Sequence, residues 1–330
     1  MALARRFGLM VFLVFVVVTV TFFMIRLIPG DPVKLQLLAY IQQGMSYGNA
    51  LRHVEELYGV NLKQPLIQQY FTYIGGMFRG QLGKSLLFPN TPIMQLIAET
   101  LPWTVFTVVT SIIVSFVIGV TLGTVAAYRR GGWLDQVFTP GSSVLNGLPN
   151  YLIGTILLFV FAVLLKWFPT QGAYSPLTPP GLNLPFVGSV LQHAVLPIGS
   201  YVLASFAGWF LLMKSNTVSV LNADFIAGAR SHGIPETKIM LRYVTPNALM
   251  PMVTNVVLSI AFHFAGSVFV ETIFDYPGIG YLFGQAAANS DYSLLQALFG
   301  LLAVVVIVST FLSDVLYTRL DPRLTMEDIA

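Results

Sequence analysis

DFIAGARSHGIPETKIMLRYVTPNALMP, Asp224 to Pro251, carries three basic and two acidic residues. VLASFAGWFLLM (Val202–Met213) precedes it and MVTNVVLSIAFHFAGSVFV (Met252–Val270) follows it. Both flanks read as membrane, so the segment is a polar excursion between two spans. Its own pattern is helical. Asp224 is placed to cap a helix beginning at Phe225. FIAGARSH then runs to Gly233, a favoured helix stop. Pro235 opens a second helix in which Ile239, Met240, Tyr243 and Val244 recur at helical spacing. Pro246 is expected to end it. The reading is two short helices hinged at Gly233–Ile234, with an apolar stripe and a basic face that includes Lys238 and Arg242. Such a protrusion suits a groove on a cytosolic partner. It equally suits an amphipathic helix lying on the membrane with its basic residues on lipid headgroups.

The chain around this segment has 330 residues, of which 55% are hydrophobic and 9% charged, where a soluble domain carries about a quarter of charged residues. The fold class predicted is an all-α integral membrane protein. The absence of cysteine excludes a disulfide framework, thiolate metal sites and a thiol nucleophile. The net charge of +3 comes from dispersed residues, which argues against a nucleic-acid partner.

A hydrocarbon core needs about 20 apolar residues per helix. Six stretches meet this: Phe7–Ile28, Trp103–Ala127, Ser142–Lys166, Leu191–Met213, Met250–Thr272 and Leu294–Tyr317. The third is interrupted by Gly147 and Pro149, a break that neighbouring helices can satisfy. The first is read as a retained span and not a cleaved signal, because its apolar run is long and IRLIPGDP follows it, with no A-x-A-like site. Arg5, Arg6, Arg129, Arg130, Lys214, Arg230, Lys238, Arg242, Arg319 and Arg323 fall on one side. Pro169–Val190 and Tyr276–Tyr292 on the other side hold no Lys or Arg. Both termini and the opening stretch are therefore expected in the cytoplasm. The organisation expected is an N-terminal span (1–30), an extracytoplasmic subdomain (31–101) and a five-helix core (102–330) with a cytoplasmic loop at 214–250.

The 31–101 segment is too long and too patterned for a linker. NALRHVEELYGV has helical spacing with Gly59 as a possible C-cap, and QPLIQQYFTYIGGMF starts near Pro65 and repeats apolar residues at Leu66, Ile67, Tyr70, Phe71 and Ile74. The segment is read as a small, mostly helical insertion, either a lid packed on the spans or a part that meets substrate. GQLGKS (Gly80–Ser85) imitates the end of a phosphate loop. G-x-x-x-x-G-K-[ST] would need glycine at position 78, where Phe78 stands. No nucleotide site is therefore expected, and none of the metal or nucleophile motifs of an enzyme occurs.

Asn255, Ser259, His263, Ser267 and Glu271 recur every four residues in the fifth span. Helix geometry turns about 400° per four residues, so this row drifts round one face. Polar groups in a span face the bundle interior or water. The row either lines a pathway or makes interhelical hydrogen bonds. The four histidines, His53, His193, His232 and His263, are scattered, and no metal site is expected. YPGIG (Tyr276–Gly280) by itself reads as a tight loop.

The opening stretch resembles the cytoplasmic EAA loop of permease subunits in binding-protein-dependent ABC importers, E-A-A-x-x-x-G followed after nine to eleven residues by an apolar residue and Pro. This chain has Ala227-Gly228-Ala229, Gly233 and Leu249-Met250-Pro251, and departs at Ala227, where the pattern has Glu. ARSHG and NALMP look like the dipeptide and oligopeptide branch, with its ARAKG and NALIP types. RLIPGDP (Arg26–Pro32) closes the first span as in that branch. GQLGKS is similar to its G-D-L-G-x-S, with Gln81 for Asp. Glu271–Tyr292 resembles its E-x-x-F-x-Y-P-G-x-G block, and LYTRLDPR its Y-x-x-x-D-P-R tail. The landmarks cover nearly the whole chain in order.

The resemblance implies one of two membrane subunits of a peptide importer in a bacterial or archaeal inner or plasma membrane. Its partners would be a second homologous permease, two cytoplasmic ATPase subunits that hold the ATP and Mg, and an extracytoplasmic solute-binding protein; the chain itself would carry no cofactor. Ala227, Gly228, Ala229, Arg230, Gly233, Lys238, Arg242 and Pro251 would form the ATPase-coupling loop. Independently of the resemblance, the polar row Asn255, Ser259, His263 and Ser267 is the candidate pathway lining, with interhelical hydrogen bonding as its alternative. Glu271, Tyr276, Pro277, Gly278 and Gly280 would form a re-entrant outer gate. Relatives in this class also carry oligosaccharides, glutathione or nickel chelates. A secondary transporter is the alternative outside the class.

Overall fold

A computed structural model describes residues 2–27, 32–58, 64–88 and 91–320. The expected C-cap at Gly59, most of the RLIPGDP landmark and the end of the LYTRLDPR tail lie outside the described residues. Within them the chain is helical, and the one extended pairing is an isolated bridge between Lys84 and Pro92. Helix α1 (Ala2–Leu27) is followed by three shorter helices, α2 (Pro32–Gln42), α3 (Tyr47–Tyr58) and α4 (Leu66–Phe78). Then come α5 (Ile93–Tyr128), α6 (Trp133–Leu145), α7 (Asn150–Leu157), α8 (Leu184–Leu221), α9 (Asp224–Ser231), α10 (Glu236–Ile239), α11 (Thr245–Ile273), α12 (Ile279–Ala288) and α13 (Tyr292–Leu320).

Five helical stretches are long and apolar enough to cross a membrane: Arg5–Met24, Ile93–Tyr128, Leu184–Leu221, Glu236–Ile273 and Tyr292–Leu316. A sixth results if α6 and the α7 stretch to Leu164 count together, although they meet at 107°. The bend falls between Leu145 and Asn150, at Gly147 and Pro149. Proline lacks a backbone N–H and glycine loses the most backbone freedom on entering a helix, so the break forms where both sit. The expected third span began at Ser142; the structure starts its first arm at Trp133 instead. The expected spans Trp103–Ala127 and Leu191–Met213 are parts of longer helices, which carry Pro102 and Pro197 without ending.

The tightest pairing is α5 against α8. A Cβ added at Gly119 would stand 2.5 Å from Cβ of Trp209, and one at Gly123 would stand 2.7 Å from the Phe210 carbonyl. Two glycines four residues apart thus let the backbones touch, as small residues do where lipid supplies no hydrophobic drive. Gly123→Val is expected to lower the apparent Tm of the detergent-solubilised protein by several degrees, whereas Gly188→Ala, with open space around it, should leave it unchanged.

The α2–α4 segment packs on α1 through Val18, Phe22, Val54, Leu57, Tyr58, Tyr70 and Tyr73, all buried. Thr19 and Tyr70 share a 2.7 Å hydrogen bond. Of the apolar positions expected to face inward on α4, Tyr70 and Ile74 do so, while Leu66, Ile67 and Phe71 are exposed. Apolar residues stand on more than one face of the helix and Gln69 is buried with Tyr70 and Tyr73, so periodicity alone could not choose its buried face.

GQLGKS joins this segment to the core. Asp291, wholly buried ahead of α13, accepts bonds on Oδ2 from the Ser85 hydroxyl (2.6 Å) and the backbone N–H groups of Leu86 (2.7 Å) and Leu87 (3.1 Å). Its Oδ1 accepts the Leu294 N–H at 3.0 Å and so caps α13. The false phosphate loop is a structural dock. Lys84 beside it bonds Glu56 at 2.7 Å, and that hydrogen bond and the ammonium charge hold the Glu56 carboxyl below the usual carboxylate range.

Candidate functional site

The opening stretch folds as a protrusion with two departures from expectation. Asp224 is not the cap: α9 already includes it, Ala223 occupies the cap position and no side chain bonds there. Asp224 instead puts its charge in the first turn, where the helix dipole favours an anion. The stop at Gly233 holds as expected. Its φ is +71°, the left-handed conformation glycine adopts without Cβ strain. The Gly233 N–H bonds the Arg230 carbonyl at 2.9 Å and the Ile234 N–H bonds the Ala229 carbonyl at 3.2 Å, the paired closure of a Schellman stop. Arg230 reaches across the bend to Glu236, 2.7 Å away.

Pro246 does not end the second helix. Met240–Val244 widen into a π-helical turn, and α10 runs through it into α11 as one helix from Glu236 to Ile273. Proline at 246 removes one N–H and crowds the carbonyl four residues back. The wide turn just ahead absorbs that, with the Thr245 hydroxyl bonding the Met240 carbonyl at 2.8 Å. The apolar stripe also points elsewhere than expected. Ile239 and Val244 are fully buried against Ile226 and Ala229, with Tyr128 and Leu221 around them. The stripe glues the protrusion to its own base. The exposed surface carries Ala227, Arg230, His232, Lys238 and Arg242, and two apolar residues that pattern reading missed, Phe225 and Leu241. Gly228 is half-buried beside them, Ala229 is buried, and Pro251 lies inside α11. Lys214, expected at the start of the loop, lies inside α8, where its ammonium pairs with Asp135 and bonds Thr139 at 2.8 Å.

At the other end of the same helix stands Glu271, 0% exposed. Oε1 accepts the Thr104 hydroxyl of α5 at 2.8 Å. Oε2 accepts the N–H of Gly280 at 2.7 Å and of Tyr281 at 3.3 Å. The Thr104 oxygen in turn accepts the Ile279 N–H at 2.7 Å. The free N–H groups at the start of α12 are thus held by one carboxylate and one hydroxyl from two other helices. A Cβ at Gly278 would lie 2.2 Å from Glu271 Oε2, and one at Gly280 would lie 2.3 Å from the Ser267 carbonyl carbon. Both glycines are required by close approach. Tyr276 is buried, edge-on to Trp103 at 5.9 Å, and Pro277 is half-buried at the turn. YPGIG is therefore no ordinary loop. It starts a helix that turns back onto α5, α11 and α13 through Ile279, Leu282 and Ala286.

The polar row on α11 splits. Asn255, Ser259 and His263 border two adjoining hollows of about 470 and 520 Å³. Ser267 does not: its hydroxyl bonds the Phe264 carbonyl, and its backbone lies under Gly280. A drift of about 40° per step, compounded over four steps, carries the row from the hollows to the clamp. His263 bonds the Ser259 carbonyl through Nδ1 (2.7 Å) and Ser205 of α8 through Nε2 (2.8 Å). The far wall comes from the α6–α7 break, with Asn146, Pro149 and Asn150. These asparagines went unread in the sequence; two carboxamides flanking a helix break inside an apolar stretch are the signal that could have found them. Among the described residues no group of three or more His, Asp or Glu side chains could hold a metal ion.

Residues 119–326, which span both the protrusion and the clamp, match the family described as binding-protein-dependent transport system inner membrane component. The chain belongs to this family. An oligopeptide transport system permease protein of Bacillus subtilis (strain 168) is 33% identical over 305 residues, 92% of each chain. A dipeptide transport system permease protein of Lactococcus lactis subsp. cremoris (strain MG1363) is 30% identical over 322 residues, 98% of each chain. An oligopeptide transport system permease protein of Haemophilus influenzae is 29% identical over 310 residues, 94% of each chain. As a permease, this chain is a transport component with several apolar helices.

Proposed function

We propose that this permease forms half of the pathway of an ATP-driven importer and passes peptides handed to it by an extracytoplasmic binding protein. The observation that carries the reading is near end-to-end similarity to oligopeptide and dipeptide permeases. A second permease subunit completes the pathway, and two ATPase subunits supply the work. The α9–α10 protrusion lies in the cytoplasm with both termini, and the α2–α4 segment lies outside. The distribution of Lys and Arg supports this orientation, since the opposite short loops have none.

The helix from Glu236 to Ile273 supplies the mechanical link. Its 38 residues extend about 57 Å at 1.5 Å per residue. A displacement of the protrusion by closing ATPases tilts this helix as a unit. The far end is clamped to α12 and α5 through Glu271, so the motion reaches the opposite gate as a rigid-body change. Arg230 is engaged by Glu236, which leaves Lys238 and Arg242 as exposed cations free of a salt bridge among the described residues. The double variant Lys238→Glu/Arg242→Glu is expected to reduce co-purification of the ATPase subunits about tenfold or more, since charge reversal at an interface costs several kcal/mol. Equal recovery would remove the protrusion from the ATPase interface. ATP-dependent uptake of a radiolabelled tripeptide by the reconstituted complex tests the function; uptake of an oligosaccharide, glutathione or a nickel chelate in its place would reassign the cargo.

A further inference from the structure

The two hollows have one chemical character. Their polar lining includes Asn146, Asn150, Ser205, Asn255, Ser259 and His263, with the Tyr151 hydroxyl and Trp209 indole beside them and no carboxylate, ammonium or guanidinium among the lining residues. Ser205 and His263 bond each other, and Ser259 bonds within its own helix. The carboxamides of Asn146 and Asn150 have no hydrogen-bond partner among the described residues. Each offers two donors and an acceptor; Asn146 is exposed and Asn150 half-buried at the groove wall, so both are open to a ligand. Both are seated against glycine. A Cβ at Gly208 would come within 3.2 Å of Asn146 Oδ1, and a Cβ at Gly266 within 3.3 Å of Asn150 Nδ2. The break between α6 and α7 thus turns two neutral hydrogen-bonding groups toward α8 and α11.

We propose that this groove holds the main chain of a peptide in passage, with Asn146 and Asn150 pairing with its amide N–H and C=O groups. Resting on the peptide reading above, the assignment names the class of contact. A carboxamide matches an amide in both donor and acceptor, and the match is the same for every peptide sequence. A charged lining would favour side chains of opposite sign and hold them. The neutral lining lets residues of either charge pass and lets them leave, which transport requires as much as entry.

The chain contains no cysteine, so Asn146→Cys and Asn150→Cys each add a single reporter thiol. In the complete reconstituted complex, both are expected to react with a membrane-impermeant methanethiosulfonate reagent while ATP is turned over. Trialanine with its binding protein should slow that labelling about tenfold when the groove is about nine-tenths occupied, because the thiol reacts only while the groove is empty. Asn146→Leu/Asn150→Leu should lose peptide uptake while binding-protein-stimulated ATPase activity persists, and trilysine and triglutamate uptake should fall together with trialanine. Two results overturn the assignment: labelling that peptide does not slow, or a loss confined to one charge class. A wild-type complex that takes up no peptide at all would overturn the functional reading itself.

Discussion

Gly280→Ala is expected to unseat α12. The added Cβ would lie 2.3 Å from the Ser267 carbonyl carbon and 2.4 Å from the Val268 nitrogen. Both are backbone atoms in the middle of α11, so no rotamer change relieves the clash. The start of α12 must move, and the Gly280 and Tyr281 N–H groups leave the Glu271 carboxylate. Overpacking costs about 1–3 kcal/mol, and each bond lost to a buried charged acceptor about 1.5–3 kcal/mol. The sum is on the order of 4 kcal/mol or more, a large share of a typical stability of about 5–15 kcal/mol. The apparent Tm of the solubilised complex should drop, and limited proteolysis should open the 276–292 segment first. Glu271→Gln keeps the shape but turns one acceptor oxygen into a donor facing donors; it should produce the same pattern at about half the cost. A Gly280→Ala protein with wild-type melting and proteolysis would mean that α12 is not seated on α11.

Asp291→Ala is the second large effect expected. One carboxylate holds Ser85, Leu86 and Leu87 and caps α13 at Leu294. Truncation strands three backbone N–H groups and a buried hydroxyl. The cost is about 3–5 kcal/mol, the range for removing one partner of a buried charged network. The α2–α4 segment should loosen at its C-terminal end, read as faster hydrogen exchange over residues 84–88 and lost protection at the start of α13. Glu56→Gln, which weakens only the exposed, solvent-screened bond to Lys84, should leave stability nearly unchanged. Equal exchange in the Asp291→Ala and Glu56→Gln proteins would count against Asp291 as the dock.

Much of the candidate site is legible from local pattern. The apolar stretches stand out because a hydrocarbon core demands length and excludes charge. The interruption at Gly147 and Pro149 and the stop at Gly233 stand out because these residues act on their own backbone. Pro246 misleads for the complementary reason: a helix can absorb proline through a wide turn, and the Met240–Val244 turn stabilises that option only once Ile239 and Val244 are packed on Ile226 and Tyr128. The apolar stripe of the protrusion was visible, yet its direction was not, since spacing marks a face without naming what covers it. GQLGKS read as a failed phosphate loop because its partner, Asp291, lies more than two hundred positions away in the chain.

The sequence by itself determined the class of the protein, an apolar helical chain with a polar protrusion, because composition, run length and Gly/Pro positions act locally. It also carried the family, through short motifs in fixed order. Only the tertiary structure decided what those motifs do. Glu271, Gly278 and Gly280 form a clamp because α5, α11 and the start of α12 meet within hydrogen-bonding distance, and Asn146 and Asn150 face a groove because the broken span turns through 107°. Hydrogen bonds and steric contact act over about 3 Å in space, whatever the separation along the chain, so the partners of a buried polar group emerge only when the helices are packed.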